Sequence, residues 1–81
     1  MGASDKKSEQ TYLWLRSYID ENKFANNSKL PSENVISHRL SVSRETARTA
    51  LARLAEEGLI RKVKGSGTYI NKEVALTKEL R

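Results

Sequence analysis

Residues 43 to 58 carry the pattern that most restricts how this chain can fold. Ser43 stands where a helix N-cap belongs. Ala47, Ala50, Leu51 and Leu54 then follow at i, i+3, i+4 and i+7, and Gly58 ends the run as a natural left-handed helix terminus. Only Ser41-Val42-Ser43 separates this helix, expected over about 44–57, from a shorter helical pattern before it. The chain must turn within those three residues without glycine or proline. Val42, a lone apolar residue in a polar turn, is expected to plug the core between the two helices. The opposite face of the longer helix carries Arg44, Glu45, Arg48, Thr49 and Ala52, and is short, polar and mostly positive.

The other elements follow from similar signals. Tyr12, Leu15 and Ile19 form one stripe at helical spacing and place a first helix over 9–23. Trp14 and Tyr18 lie on an adjoining face and are read as core rather than as base-stacking groups. Asn22, Asn26 and Asn27 mark the helix exit, with Phe24 expected to anchor the chain to the core. Lys29-Leu30-Pro31 is extended, because the residue before proline avoids the helical region. Ser32 then caps a second helix to about Leu40, with Glu33 in its first turn and Ile36 and Leu40 facing inward. Leu59 to Val63 and Thr68 to Ile70 are β-prone, and Lys64-Gly65-Ser66-Gly67 between them makes the turn of a hairpin. Residues 1–8 are expected to be a flexible arm, 9–71 one domain, and 72–81 the start of a linker. The fold class is mostly α with a small β-hairpin: three helices plus a wing, the order of a winged helix-turn-helix.

At 81 residues and 37% hydrophobic, the chain suits one small domain. It contains no cysteine and one histidine, His38, which excludes a disulfide framework, a cysteine zinc site and a histidine metal cluster. No apolar run is long enough for a membrane span, and the N-terminus lacks a secretory apolar region, so a cytoplasmic location is expected. No nucleophile–base pair stands out, and Gly65-Ser66-Gly67 lacks the strand-to-helix setting of a nucleophile elbow, so no enzyme is expected. The charge is uneven. Residues 1–33 carry five basic and five acidic side chains, whereas residues 34–70 carry seven basic and three acidic. A concentrated positive segment points to a polyanion.

The positive helical edge has the chemistry of a duplex-DNA reader. A helix fits the major groove and offers its first side chains to base edges. Ser43, Arg44, Glu45, Thr46 and Arg48 are of the right type. Arg44 and Arg48, four apart, project from one face, and each can pair with O6 and N7 of a guanine. Glu45 can accept from a cytosine amino group, or else pair with Arg48 or Lys29. At the hairpin tip, Gly65 and Gly67 permit close backbone approach, and Lys64 and Ser66 can reach phosphate or the minor groove. The alternative is a winged helix used for protein contact. It is disfavoured because that face lacks the aromatic and methionine residues such contacts use.

Leu30-Pro31-Ser32-Glu33, Val42-Ser43-Arg44, Ala50-Leu51, Leu54, Glu57-Gly58-Leu59-Ile60 and Gly65-Ser66-Gly67-Thr68-Tyr69-Ile70, in this order and spacing, resemble the DNA-binding domain of GntR-family bacterial transcription regulators. The resemblance covers about 11–71. It implies operator binding as a dimer at a pseudo-palindromic site, with contacts from Arg44, Glu45, Thr46, Arg48 and the tip Lys64–Gly67, and a phosphate contact from Ser32. It also implies a further, C-terminal domain that binds a small-molecule effector and drives homodimerisation, with no cofactor in the domain itself and a place at the bacterial nucleoid. Two positions depart from the pattern. Asn34 stands where the family often has arginine, and keeps hydrogen-bonding capacity without charge. Ala47 stands where a larger residue is common, so either the packing beneath the helix is thinner or Phe24 or Trp14 fills the space.

Overall fold

A computed structural model describes residues 3–24 and 28–77. The elements run α1 (Ala3–Asn22), α2 (Glu33–Leu40), α3 (Arg44–Glu56), β1 (Ile60–Val63), β2 (Gly67–Ile70) and α4 (Lys72–Thr77). This is a winged helix: α1 and α2 pack on α3, and the β1–β2 hairpin follows it. One cluster forms the core. Tyr12, Leu15 and Ile19 come from α1, Ile36 from α2, and Ala47, Ala50, Leu51 and Leu54 from α3; Leu30, Leu59, Ile60 and Ile70 close it. The helical stripes expected from residue spacing are therefore the buried ones. Trp14, Tyr18 and Leu40 pack half-buried against this cluster.

Serine caps start both helices of the corner. The Ser32 hydroxyl accepts from the Val35 amide at 3.2 Å, and the Ser43 hydroxyl from the Thr46 amide at 3.1 Å. Both helices also end alike. After α3, the Gly58 amide donates to Ala55 and the Leu59 amide to Leu54, with Gly58 at φ +79°. After α2, the Ser41 amide donates to His38 and the Val42 amide to Ser37, with Ser41 at φ +54°. This is the Schellman arrangement, which needs a left-handed residue at its centre. The turn without glycine therefore places a serine in a conformation that costs about 1–2 kcal/mol with a Cβ. Ser41→Gly removes that strain but loosens the unfolded chain by about 0.4–1 kcal/mol. The expected net gain is about 0.5 kcal/mol, seen as a higher urea midpoint with an unchanged slope.

The hairpin is antiparallel, with Ile60 opposite Ile70 and Val63 opposite Gly67. Its β2 side is tied to the segment before α2. The Ile70 amide donates to the Ser28 carbonyl and the Leu30 amide to the Thr68 carbonyl, so 28–30 lies along β2 as a partial third strand.

Several expectations are corrected. The helix expected from residue 9 begins at Ala3, so most of the arm expected over 1–8 is helical; no glycine or proline lies between Ala3 and the core stripe to stop it. Phe24 does not anchor the chain: it is 77% exposed, beyond the last turn of α1. It therefore does not fill space beneath Ala47, and Trp14 turns toward α2, where the Arg39 guanidinium sits over its ring. Ala47 and Ala50 are buried as small residues that let α3 approach its neighbours closely. Val42 is half-buried at the rim rather than a core plug. The last stretch, which the sequence left open as a helix or the start of a linker, is helical over Lys72–Thr77, with Val74 against the core. Asn26, Asn27 and residues 78–81 lie outside the described residues.

Candidate nucleic-acid interface

The capped start of α3 sets the site. Helical geometry turns Ala47, Ala50 and Leu54 inward, which leaves Arg44, Glu45, Arg48 and Thr49 exposed. Among the described residues, no carboxylate lies within ion-pair distance of Arg44. Arg48 is held differently. Its Nε and Nη2 donate to the two carboxylate oxygens of Glu33 on α2, at 3.3 and 3.4 Å. That hydrogen bond, then the charge of Glu33 and that of Glu45, raise the Arg48 guanidinium further above its ordinary pKa. Glu45 is thus close to Arg48 without being its hydrogen-bond partner, and its own backbone carbonyl accepts from the Thr49 hydroxyl.

Thr46, expected among the contact residues, faces the other way. It is 9% exposed, its hydroxyl lies 2.9 Å from that of Ser43, and its amide donates to the same oxygen. The reason is periodicity: residue 46 shares a helical face with Ala50 and Leu54. Thr46 braces the cap and does not present a hydroxyl outward. Ser43 remains exposed with its hydroxyl engaged in the cap, and Ser32 and Asn34 are exposed at the start of α2.

At the wing, Lys64, Gly65, Ser66 and Gly67 are all exposed. The Ser66 amide donates to the Val63 carbonyl, and Gly65 at φ +79° supplies the positive φ that the third position of a type II turn requires. The Ser66 and Tyr69 hydroxyls are hydrogen-bonded, which stiffens the tip. Gly67 has a local task as well. At φ +135° it holds a backbone conformation that side chains rarely adopt; a Cβ there would also lie 2.7 Å from Lys29 Cε, the mobile end of an exposed side chain that can move aside.

Lys29, Ser32, Glu33, Lys62, Ser66 and Gly67 line one groove of about 330 Å³, floored by Leu51 of α3. The wing, the start of α2 and Leu51 of α3 therefore border a common surface, to which Arg48 is linked through Glu33. Sequence reasoning placed Ser32, Ser66 and Gly67 there but missed Lys29, Lys62 and Glu33. Lys62 lay within the basic segment and was available as a signal. The Glu33 contact bridges fifteen residues, and nothing in the sequence announces it.

On the far side of the domain's central helix pair, Arg53 of α3 reaches α1. Its Nη1 lies 2.8 Å from a Glu9 oxygen and its guanidinium 3.8 Å above the Tyr12 ring. The Tyr12 hydroxyl donates to Glu57 at 2.6 Å, and burial followed by that hydrogen bond pushes the phenol pKa up. These contacts bridge α1 and α3 at the rim of the buried core. Among the described residues, no cluster of histidine, aspartate and glutamate could hold a metal ion, and no helix is long and apolar enough to cross a membrane.

Residues 7–70 match the family model described as bacterial regulatory proteins, gntR family. The chain is 34% identical over 71 residues to the arabinose metabolism transcriptional repressor of Geobacillus stearothermophilus, covering 83% of this chain and 20% of that protein. It is 36% identical over 58 residues to the HTH-type transcriptional repressor NagR of Bacillus subtilis, covering 72% of this chain and 24% of that protein. The chain thus spans between a fifth and a quarter of the length of these two relatives. Among solved structures, AraR(DBD) in complex with operator ORR3 superposes with a TM-score of 0.71 at 34% identity, over 79% of this chain and 77% of that one. A GntR family transcriptional regulator from Listeria monocytogenes superposes with a TM-score of 0.74 at 25% identity, over 86% and 63%. With the family pattern matched across the helical corner and the wing alike, the chain belongs to the GntR family of bacterial regulatory proteins.

Proposed function

We propose that the chain is the operator-binding part of a bacterial transcription regulator. It reads double-stranded DNA with the exposed edge of α3 in the major groove and the wing at the minor groove. One observation carries the reading: Arg44 and Arg48 are exposed on one edge of a capped helix, and the wing borders a groove lined by Glu33, the carboxylate that Arg48 engages. The operator-bound AraR(DBD) of the same architecture supports it. Arg44 and Arg48 are the base-reading candidates, and Glu45 is a candidate acceptor for a cytosine amino group. In this reading Ser32 and Asn34 meet phosphate, and Lys64 with the backbone of Gly65, Ser66 and Gly67 meets phosphate or the minor groove. Ser43 orders the edge through its cap. Both relatives described above are transcriptional repressors.

A pseudo-palindromic operator, homodimerisation through regions outside these 81 residues, and control by a small-molecule effector bound there complete the proposal, with action in the cytoplasm at the nucleoid. Selection of bound duplexes from a random pool, followed by binding across salt concentrations, tests the core of it. A selected site should be preferred over scrambled DNA. With about 4–6 phosphates neutralised per chain, the log–log salt slope should be about −4 to −5. Equal affinity for unrelated duplexes contradicts the reading.

A further inference from the structure

Arg48 and Glu33 make a contact that DNA binding by itself does not explain. A carboxylate on a phosphate-facing surface is repelled, yet Glu33 lies in the groove shared by the wing and α2. Its two oxygens engage the side edge of the guanidinium, Nε and Nη2. The end edge, Nη1 together with the outer hydrogen of Nη2, is left for another acceptor pair. The 3.3 and 3.4 Å separations exceed those of a tight charge-assisted pair. Both side chains are solvated, at 56% and 24% exposure, so the pair is a loose brace rather than a stability element.

We propose, resting on the DNA-binding reading above, that Glu33 is a specificity-determining residue acting through Arg48. The brace does two things. It cancels the guanidinium charge that any phosphate of any sequence would attract. It also holds the side chain extended, with its end edge directed outward, so that the O6 and N7 acceptors of a guanine meet a preorganised donor pair. Indiscriminate affinity falls and discrimination rises. Glu33 is a positioning residue: it need not touch DNA.

Removing any carboxylate from a DNA-facing surface raises affinity somewhat, so the test requires a cycle. The chain, Glu33→Gln, Arg48→Ala and the double variant are titrated by fluorescence anisotropy against two labelled duplexes, one recovered by selection and one scrambled, over a range of salt. Circular dichroism checks that each variant is folded. Glu33→Gln should tighten scrambled DNA about 3- to 10-fold and steepen its salt slope by about 0.9, the share of one added phosphate contact. The preference for the selected site should fall at least threefold. In the Arg48→Ala background the same substitution should change affinity less than twofold. Equal tightening in both backgrounds, or an unchanged preference, overturns the proposal. A parent chain that binds both duplexes equally refutes the DNA reading itself; one that discriminates while Glu33→Gln leaves the preference intact refutes only the brace.

Discussion

Arg44→Ala is expected to weaken binding to a selected duplex by about 5- to 150-fold, the roughly 1–3 kcal/mol of one bidentate guanine contact. On scrambled DNA the loss should be a few-fold, with a salt slope shallower by about 0.9. Arg44 is the first residue of α3, directly after the Ser43 cap, so its backbone is fixed while its side chain is exposed. It differs from Arg48 in having no carboxylate brace among the described residues. Its contact must therefore be selected by the DNA rather than preorganised by the protein. Anisotropy titrations of the two duplexes read both numbers. Equal losses on both would show that Arg44 meets phosphate alone.

Leu54→Ala should cost about 3 kcal/mol of folding stability, within the range for truncating a buried leucine. Leu54 is fully buried where α3 meets α1, and its carbonyl accepts the Leu59 amide that ends the helix. A domain of this size has about 4–12 kcal/mol in total, so the loss is a large fraction. Urea unfolding should show the midpoint falling by roughly a quarter or more, and near 37 °C DNA affinity should fall in step with the folded fraction. A cost below about 1 kcal/mol would mean that the α1–α3 core is not packed as described.

The parts legible in the sequence were those governed by local rules. Ser32 and Ser43 cap helices because their hydroxyls reach amides three residues on. Gly58 and Gly65 adopt positive φ because local turns require it. The stripes of Tyr12, Leu15 and Ile19 and of Ala47, Ala50, Leu51 and Leu54 mark the core because helical periodicity admits few alternatives. What was missed depends on where distant segments meet. Phe24 looked like an anchor because it is aromatic, but a residue past the last turn of α1 packs only if the chain doubles back over it. Thr46 has the polarity of a contact residue, yet its position on the helix wheel places it inward. The brace between Glu33 and Arg48 exists only because the turn at Ser41 brings α2 against α3. Gly67 has the look of a close-approach residue for DNA, whereas its φ of +135° already favours glycine there.

The claim beneath all of this is that one edge, made by the start of α3, the start of α2 and the wing tip, meets the duplex. Titrating the isotopically labelled chain with a selected duplex and following its backbone amides by NMR tests it most directly. The largest shifts should fall on Ser43 to Arg48, Ser32 to Val35 and Lys64 to Gly67, with α1 little changed. Shifts concentrated instead along Leu13 to Phe24, with the Arg44 edge and the wing undisturbed, would contradict it.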